Sequence, residues 1–91
     1  MPAVLRFNRP AVGDKLSRIG RTMGLREGAD VPQAVAELNR RLGLPAGLEA
    51  MGVPREALAR IAEAAPRDHC HATNPRPASV SDYLGILEEA Y

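Results

Sequence analysis

Between Val12 and Met23 the apolar positions Val12, Leu16, Ile19 and Met23 step by four, three and four. That spacing predicts one stripe of an amphipathic helix. Gly24 follows as a left-handed cap, with Leu25 placed to fold back on the last turn. Gly13 and Gly20 each cost such a helix roughly 1 kcal/mol against alanine, and close approach of another helix would justify Gly20. Asp30 caps a second helix, Gln33 completes a capping-box pattern, and Pro32 falls in the first turn, where its missing N–H does no harm. Val31, Ala34, Val35, Leu38 and Leu42 form its expected buried face, opposite Glu37, Arg40 and Arg41. Gly43 ends it and Leu44-Pro45 prevents continuation.

Residues 47–51 suffice for a single helical turn presenting Leu48 and Met51, closed by Gly52. Pro54 is pre-organised to start the next helix, lined by Leu58, Ile61, Ala62 and Ala65 and stopped by Pro66. The last helix opens at Ser79, whose hydroxyl can accept from the Asp82 N–H while that carboxylate reaches back. Val80, Tyr83, Leu84 and Leu87 make its apolar face. Residues 1–10 are short and apolar and break at Arg9-Pro10, which read alone is a frayed terminus or an edge strand. The expected fold is all-α, a small bundle of four to five helices forming one domain over residues 1–91, with no alternating strand pattern.

One stretch departs from this pattern. Residues 68–77 hold both histidines, the lone cysteine and two of the eight prolines. Asn74-Pro75 marks a turn, and the stretch reads as a loop between helices. Three readings of its chemistry compete. Asp68, His69, Cys70 and His71 are ligand types, but zinc sites draw four ligands from separated segments, and no further Cys or His exists here. A histidine can depress the Cys70 thiol pKa, yet sequence neighbours seldom point at each other and no oxyanion-hole pattern accompanies them. The third reading makes the loop a wall of a cleft completed by other segments. Asn74 and Arg76 read as ties that hold the turn.

Composition narrows the classes. The formal charge of +1, with acids and bases interspersed, disfavours nucleic acid as a partner and with it a helix-turn-helix reading. One cysteine forms no internal disulfide, so a reducing, cytoplasmic setting is expected. No run approaches the roughly 18 apolar residues of a membrane span, and no signal peptide is visible.

The pattern Asp68-x-Cys70-x-x-x-Asn74-Pro75-Arg76, followed by Ser79-x-x-Asp82, resembles the C-terminal end of iron-containing (group III) alcohol dehydrogenases. Pro2, Val4, Phe7 and Asn8 resemble a helix end of that family. Leu42-Gly43-Leu44-Pro45 and Met51-Gly52-Val53-Pro54 recur there at comparable places, so the likeness runs from Pro2 to Tyr91. It implies the C-terminal part of a dehydroquinate-synthase-like helical domain, closing over a cleft beside a dinucleotide-binding α/β domain. It further implies hydride transfer between NAD(P) and an alcohol or aldehyde, with iron or another divalent metal polarising the oxygen. His69, Cys70 and His71 would then line the substrate and cofactor cleft, and Asn74 and Arg76 would structure the loop. His71 stands where family members often carry a small residue, which narrows the pocket.

The family's metal ligands fall before the residue matching Met1, and no glycine-rich phosphate loop is present. The resemblance therefore implies a C-terminal fragment that is inactive alone, with no catalytic residue, metal or nucleotide of its own. Residues 1–10 become the end of a longer helix. Its partners would be the nucleotide-binding and metal-ligand segments of the same enzyme, with self-association through an exposed apolar face as a further expectation. A maleylacetate reductase fragment is the alternative within the fold. A stand-alone helical protein-interaction module is the alternative outside it.

Overall fold

A computed structural model describes residues 1–91, which form four α-helices and two 3-10 turns and no strand. The all-α expectation holds. The chain divides into two compact units, Met1–Leu44 and Pro45–Tyr91. No helix is long and apolar enough to cross a membrane.

In the first unit α1 spans Pro2–Thr22 and packs on α2, Val31–Arg41. Residues 1–10 are thus neither frayed nor an edge strand: they are the first half of α1, and Pro10 lies inside it. Pro10 offers no N–H to the Arg6 carbonyl and its ring crowds that oxygen. The helix absorbs the distortion as a kink at Val12, the one residue with non-helical dihedrals (φ −134°, ψ 26°). Leu16 is buried as its spacing predicts, but Ile19 and Met23 are exposed, and Ala3, Asn8 and Gly20 are buried instead.

Gly20 marks the closest approach of the two helices. A Cβ there would lie 3.1 Å from Val31 Cγ2, which accounts for glycine inside α1. The helix then closes at Gly24 (φ +75°), where Leu25 N–H donates to the Gly20 carbonyl at 2.9 Å and Gly24 N–H to that of Arg21 at 3.0 Å. Asp30 caps α2 by accepting from Gln33 N–H at 3.1 Å, and the same oxygen accepts from Arg9 of α1 at 2.8 Å. The expected capping box is half made, because the Gln33 side chain faces Arg6 instead. Val31 and Pro32 are buried, Ala34 and Val35 half-buried, and Leu38 and Leu42 exposed against expectation.

In the second unit α3, Ala57–Ala64, packs on α4, Val80–Glu89. Pro54 does not start α3. It opens a turn of shorter reach, in which Ala57 N–H donates to the Pro54 carbonyl and Leu58 N–H to that of Arg55, and α3 begins at Ala57. Leu58 and Ala62, each 1% exposed, form its core face. Pro66 ends α3 as expected and sits in a 3-10 turn over Ala65–Arg67. Ser79 and Asp82 form both halves of the capping box: Ser79 Oγ accepts from Asp82 N–H at 3.1 Å, and Ser79 N–H donates to Asp82 Oδ2 at 2.8 Å.

The other end of α4 is held by the turn at residues 47–51. Leu48 N–H donates to the Ala90 carbonyl at 2.9 Å and Glu49 N–H to that of Tyr91 at 3.4 Å. The approach is close: a Cβ on Gly47 would lie 2.6 Å from the Ala90 oxygen and 2.5 Å from that of Tyr91. Arg55 completes the clamp, pairing with Glu88 and lying 4.9 Å over the Tyr91 ring.

Candidate functional site

Between α3 and α4 the backbone has only two short 3-10 turns and no α-helical ladder, so side chains satisfy part of it. Asp68 is extended, and its carboxylate accepts from Cys70 N–H at 2.8 Å, capping a 3-10 turn over His69–Thr73. The stretch read as an open loop is therefore ordered locally. Its bonds are short-range: His71 N–H to the Asp68 carbonyl at 3.0 Å, and Thr73 Oγ1 to the Cys70 carbonyl at 3.1 Å. Beyond it the Asn74 side-chain amide donates to the Arg76 carbonyl across Pro75.

The three candidate side chains part company. His69 is almost wholly exposed, its Nε2 3.4 Å from Cys70 Sγ and its Nδ1 3.7 Å from Asp68 Oδ1. Cys70 is exposed too. These sequence neighbours do meet, contrary to expectation. His71 points elsewhere. It is half-buried, its Nδ1 lies 2.8 Å from the hydroxyl of Tyr83 on α4, and the two rings are tilted with centroids 5.8 Å apart. Tyr83 was expected only as part of an apolar face. A hydroxyl among Val80, Leu84 and Leu87 was the available signal, since a covered tyrosine needs a polar partner.

Asp68 governs the local electrostatics. The Cys70 N–H and thiol, donating to its carboxylate, hold the Asp68 carboxyl below its ordinary range. In return Asp68 raises the Cys70 thiol above its ordinary value, by hydrogen bond first and by charge second. The thiol is kept protonated near neutral pH despite the His69 ring beside it, which opposes nucleophilic chemistry.

The same point bears on metal. Ligand atoms of Asp68, His69 and Cys70 lie within 4.8 Å of one another. All three residues are exposed and consecutive, the thiol resists the deprotonation a ligand needs, and His71 is committed to Tyr83. This donor set does not fit a resident iron ion.

The model of the Fe-containing alcohol dehydrogenase family, C-terminal part, matches residues 1–91. The 4-hydroxybutyrate dehydrogenase of Cupriavidus necator is 47% identical over 94 residues, covering 99% of this chain and 25% of that protein. The lactaldehyde reductase of Escherichia coli (strain K12) is 34% identical over 99 residues, covering 100% of this chain and 26% of its own length. The maleylacetate reductase of Burkholderia cepacia is 32% identical over 91 residues, covering 100% and 24%. The chain thus spans about a quarter of the length of these relatives. No solved structure matches it.

Proposed function

The chain belongs to the Fe-containing alcohol dehydrogenase family as its C-terminal part, and we propose that it is the cleft-closing helical segment of an enzyme passing hydride between NAD(P) and a short hydroxy acid or its aldehyde. The observation that carries this reading is the 47% identity to a 4-hydroxybutyrate dehydrogenase across 99% of the chain. In this reading His69, Cys70 and His71 line the cleft, while Asn74 and Arg76 hold the turn. Iron and NAD(P) sit on parts of the enzyme that the relatives possess and these 91 residues do not span. The metal, when bound there, polarises the alcohol oxygen as a Lewis acid.

One feature supports a segment built to work against further protein. Leu42, Leu44 and Met51 are each more than half exposed, and Ile19, Leu38 and Ile61 are partly so. Apolar side chains left uncovered fit docking on the nucleotide-binding and metal-ligand segments, or self-association when those are lacking. A cytoplasmic setting fits the lone, unpaired Cys70.

The test is direct. The 91-residue chain given NAD(P)H, succinic semialdehyde and ferrous ion shows no turnover, while the full-length enzyme carrying it oxidises 4-hydroxybutyrate with NAD(P). Reduction by the chain alone above a metal-only blank overturns the assignment of a dependent segment. A full-length enzyme that prefers maleylacetate moves the substrate to that of the maleylacetate reductase.

A further inference from the structure

The His71 ring is tied to α4 at one nitrogen and open at the other. Nδ1 faces the Tyr83 hydroxyl at 2.8 Å. Nε2 has no partner in the chain, and since no buried side-chain nitrogen or oxygen lacks one, Nε2 reaches solvent. The Tyr83 hydroxyl hydrogen has no acceptor in the chain other than Nδ1. A phenol is a donor at neutral pH, and a neutral imidazole accepts at whichever nitrogen lacks hydrogen. The pair is therefore satisfied when Tyr83 donates to Nδ1 and the imidazole hydrogen sits on Nε2. His71 then presents an N–H outward.

A donor on a cleft wall discriminates. Closed over by a substrate with an oxygen in reach, it makes a hydrogen bond, stronger to a charged carboxylate than to a neutral group. Closed over by an alkyl end, it loses water and gains nothing. We propose that His71 selects substrates bearing a carboxylate remote from the reacting alcohol, and that Tyr83 is the positioning residue that fixes its outward Nε2–H. This rests on the cleft-lining reading above and adds the substrate end that the turn recognises.

The Tyr83 half is tested without catalysis. In ¹⁵N-resolved NMR of the 91-residue chain, assigned with His69→Gln, neutral His71 is expected as a single tautomer with hydrogen on Nε2, and Tyr83→Phe is expected to give a mixture. Hydrogen on Nδ1 in the unaltered chain, or an unchanged spectrum in Tyr83→Phe, overturns it. The His71 half is tested on the full-length enzyme with 4-hydroxybutyrate and butan-1-ol, which differ by the carboxylate. His71→Ala is expected to raise KM for 4-hydroxybutyrate about ten- to a hundredfold more than it changes KM for butan-1-ol. His71→Gln, whose amide N–H reaches a similar place, is expected to restore part of the loss. Equal loss toward both alcohols, or none, overturns the selection role. An unaltered enzyme active on butan-1-ol but not on 4-hydroxybutyrate overturns the carboxylate assignment alone. One inert to both overturns the dehydrogenase reading as well.

Discussion

The units Met1–Leu44 and Pro45–Tyr91 are similar in length and hold their shape by different means. In the first, main chain caps main chain at Gly24 and Gly43, and two helices meet across Gly20. Its polar side chains make mostly surface pairs such as Arg9–Asp30, about half exposed and worth about 0–1 kcal/mol. In the second, side chains bond to main chain through the stretch between α3 and α4: Asp68 to Cys70 N–H, Asn74 to the Arg76 carbonyl, Ser79 to Asp82 N–H. Repetitive backbone satisfies itself, whereas irregular backbone must recruit side chains. The unit that carries the candidate site is therefore the one whose fold depends on particular polar residues.

The largest test of that contrast is Leu58→Ala. Leu58 is 1% exposed, and its truncation is expected to cost about 2–5 kcal/mol. Amide exchange should then lose protection across residues 45–91 while residues 1–44 keep theirs. Simultaneous loss in both would mean one cooperative body and would break the comparison.

Glycine substitutions sharpen it next. Gly47→Ala forces a methyl against two main-chain oxygens that cannot swing away, with an expected loss of about 1–3 kcal/mol in urea melts. Gly20→Ala meets only a valine methyl, and a helix-propensity gain of roughly 1 kcal/mol opposes the crowding, so its net effect is expected within about 1 kcal/mol of zero.

The polar caps come third. Ser79→Ala is expected to cost about 0.5–2 kcal/mol, read by circular dichroism melts. The Asp82 carboxyl is held below its ordinary value of 3.8 by bonds from Ser79, main-chain N–H first. A lowered folded pKa contributes stability above the unfolded value, and that contribution is lost as pH falls through the folded one. Asp82→Asn should flatten the acid side of the helicity profile, and an unaltered profile would count against the cap. The smallest effect is chemical. Asp68→Asn removes what raises the Cys70 thiol, so iodoacetamide should alkylate Cys70 faster near neutral pH than in the unaltered chain.

Local punctuation was legible in the sequence. Asp30, Ser79 with Asp82, Gly24 and Gly43 sit where their chemistry placed them, because caps involve residues close along the chain. What depends on distant partners was not legible. Ile19 and Met23 share a stripe with buried Leu16 yet stay exposed, because whether a stripe is covered depends on what packs over it and not on its spacing. Pro54 has the right residue type for a helix start but three residues too early. The turn was singled out by its residue types, yet the His71–Tyr83 contact joins positions on different elements, which spacing alone does not connect.

The 3-10 geometry of His69–Thr73 carries one more consequence. With three residues per revolution, each step along this turn rotates the direction of the side chain by about 120°. Imidazole, thiol and imidazole therefore fan out as three spokes. Adding or deleting one residue ahead of His69 would advance the wheel by one spoke, exchanging which chemical group faces which way while leaving the composition of the tripeptide untouched. Spoke order, set by the count of residues between Pro66 and Pro75, is thus a variable on which this segment can be retuned without inventing any new side chain.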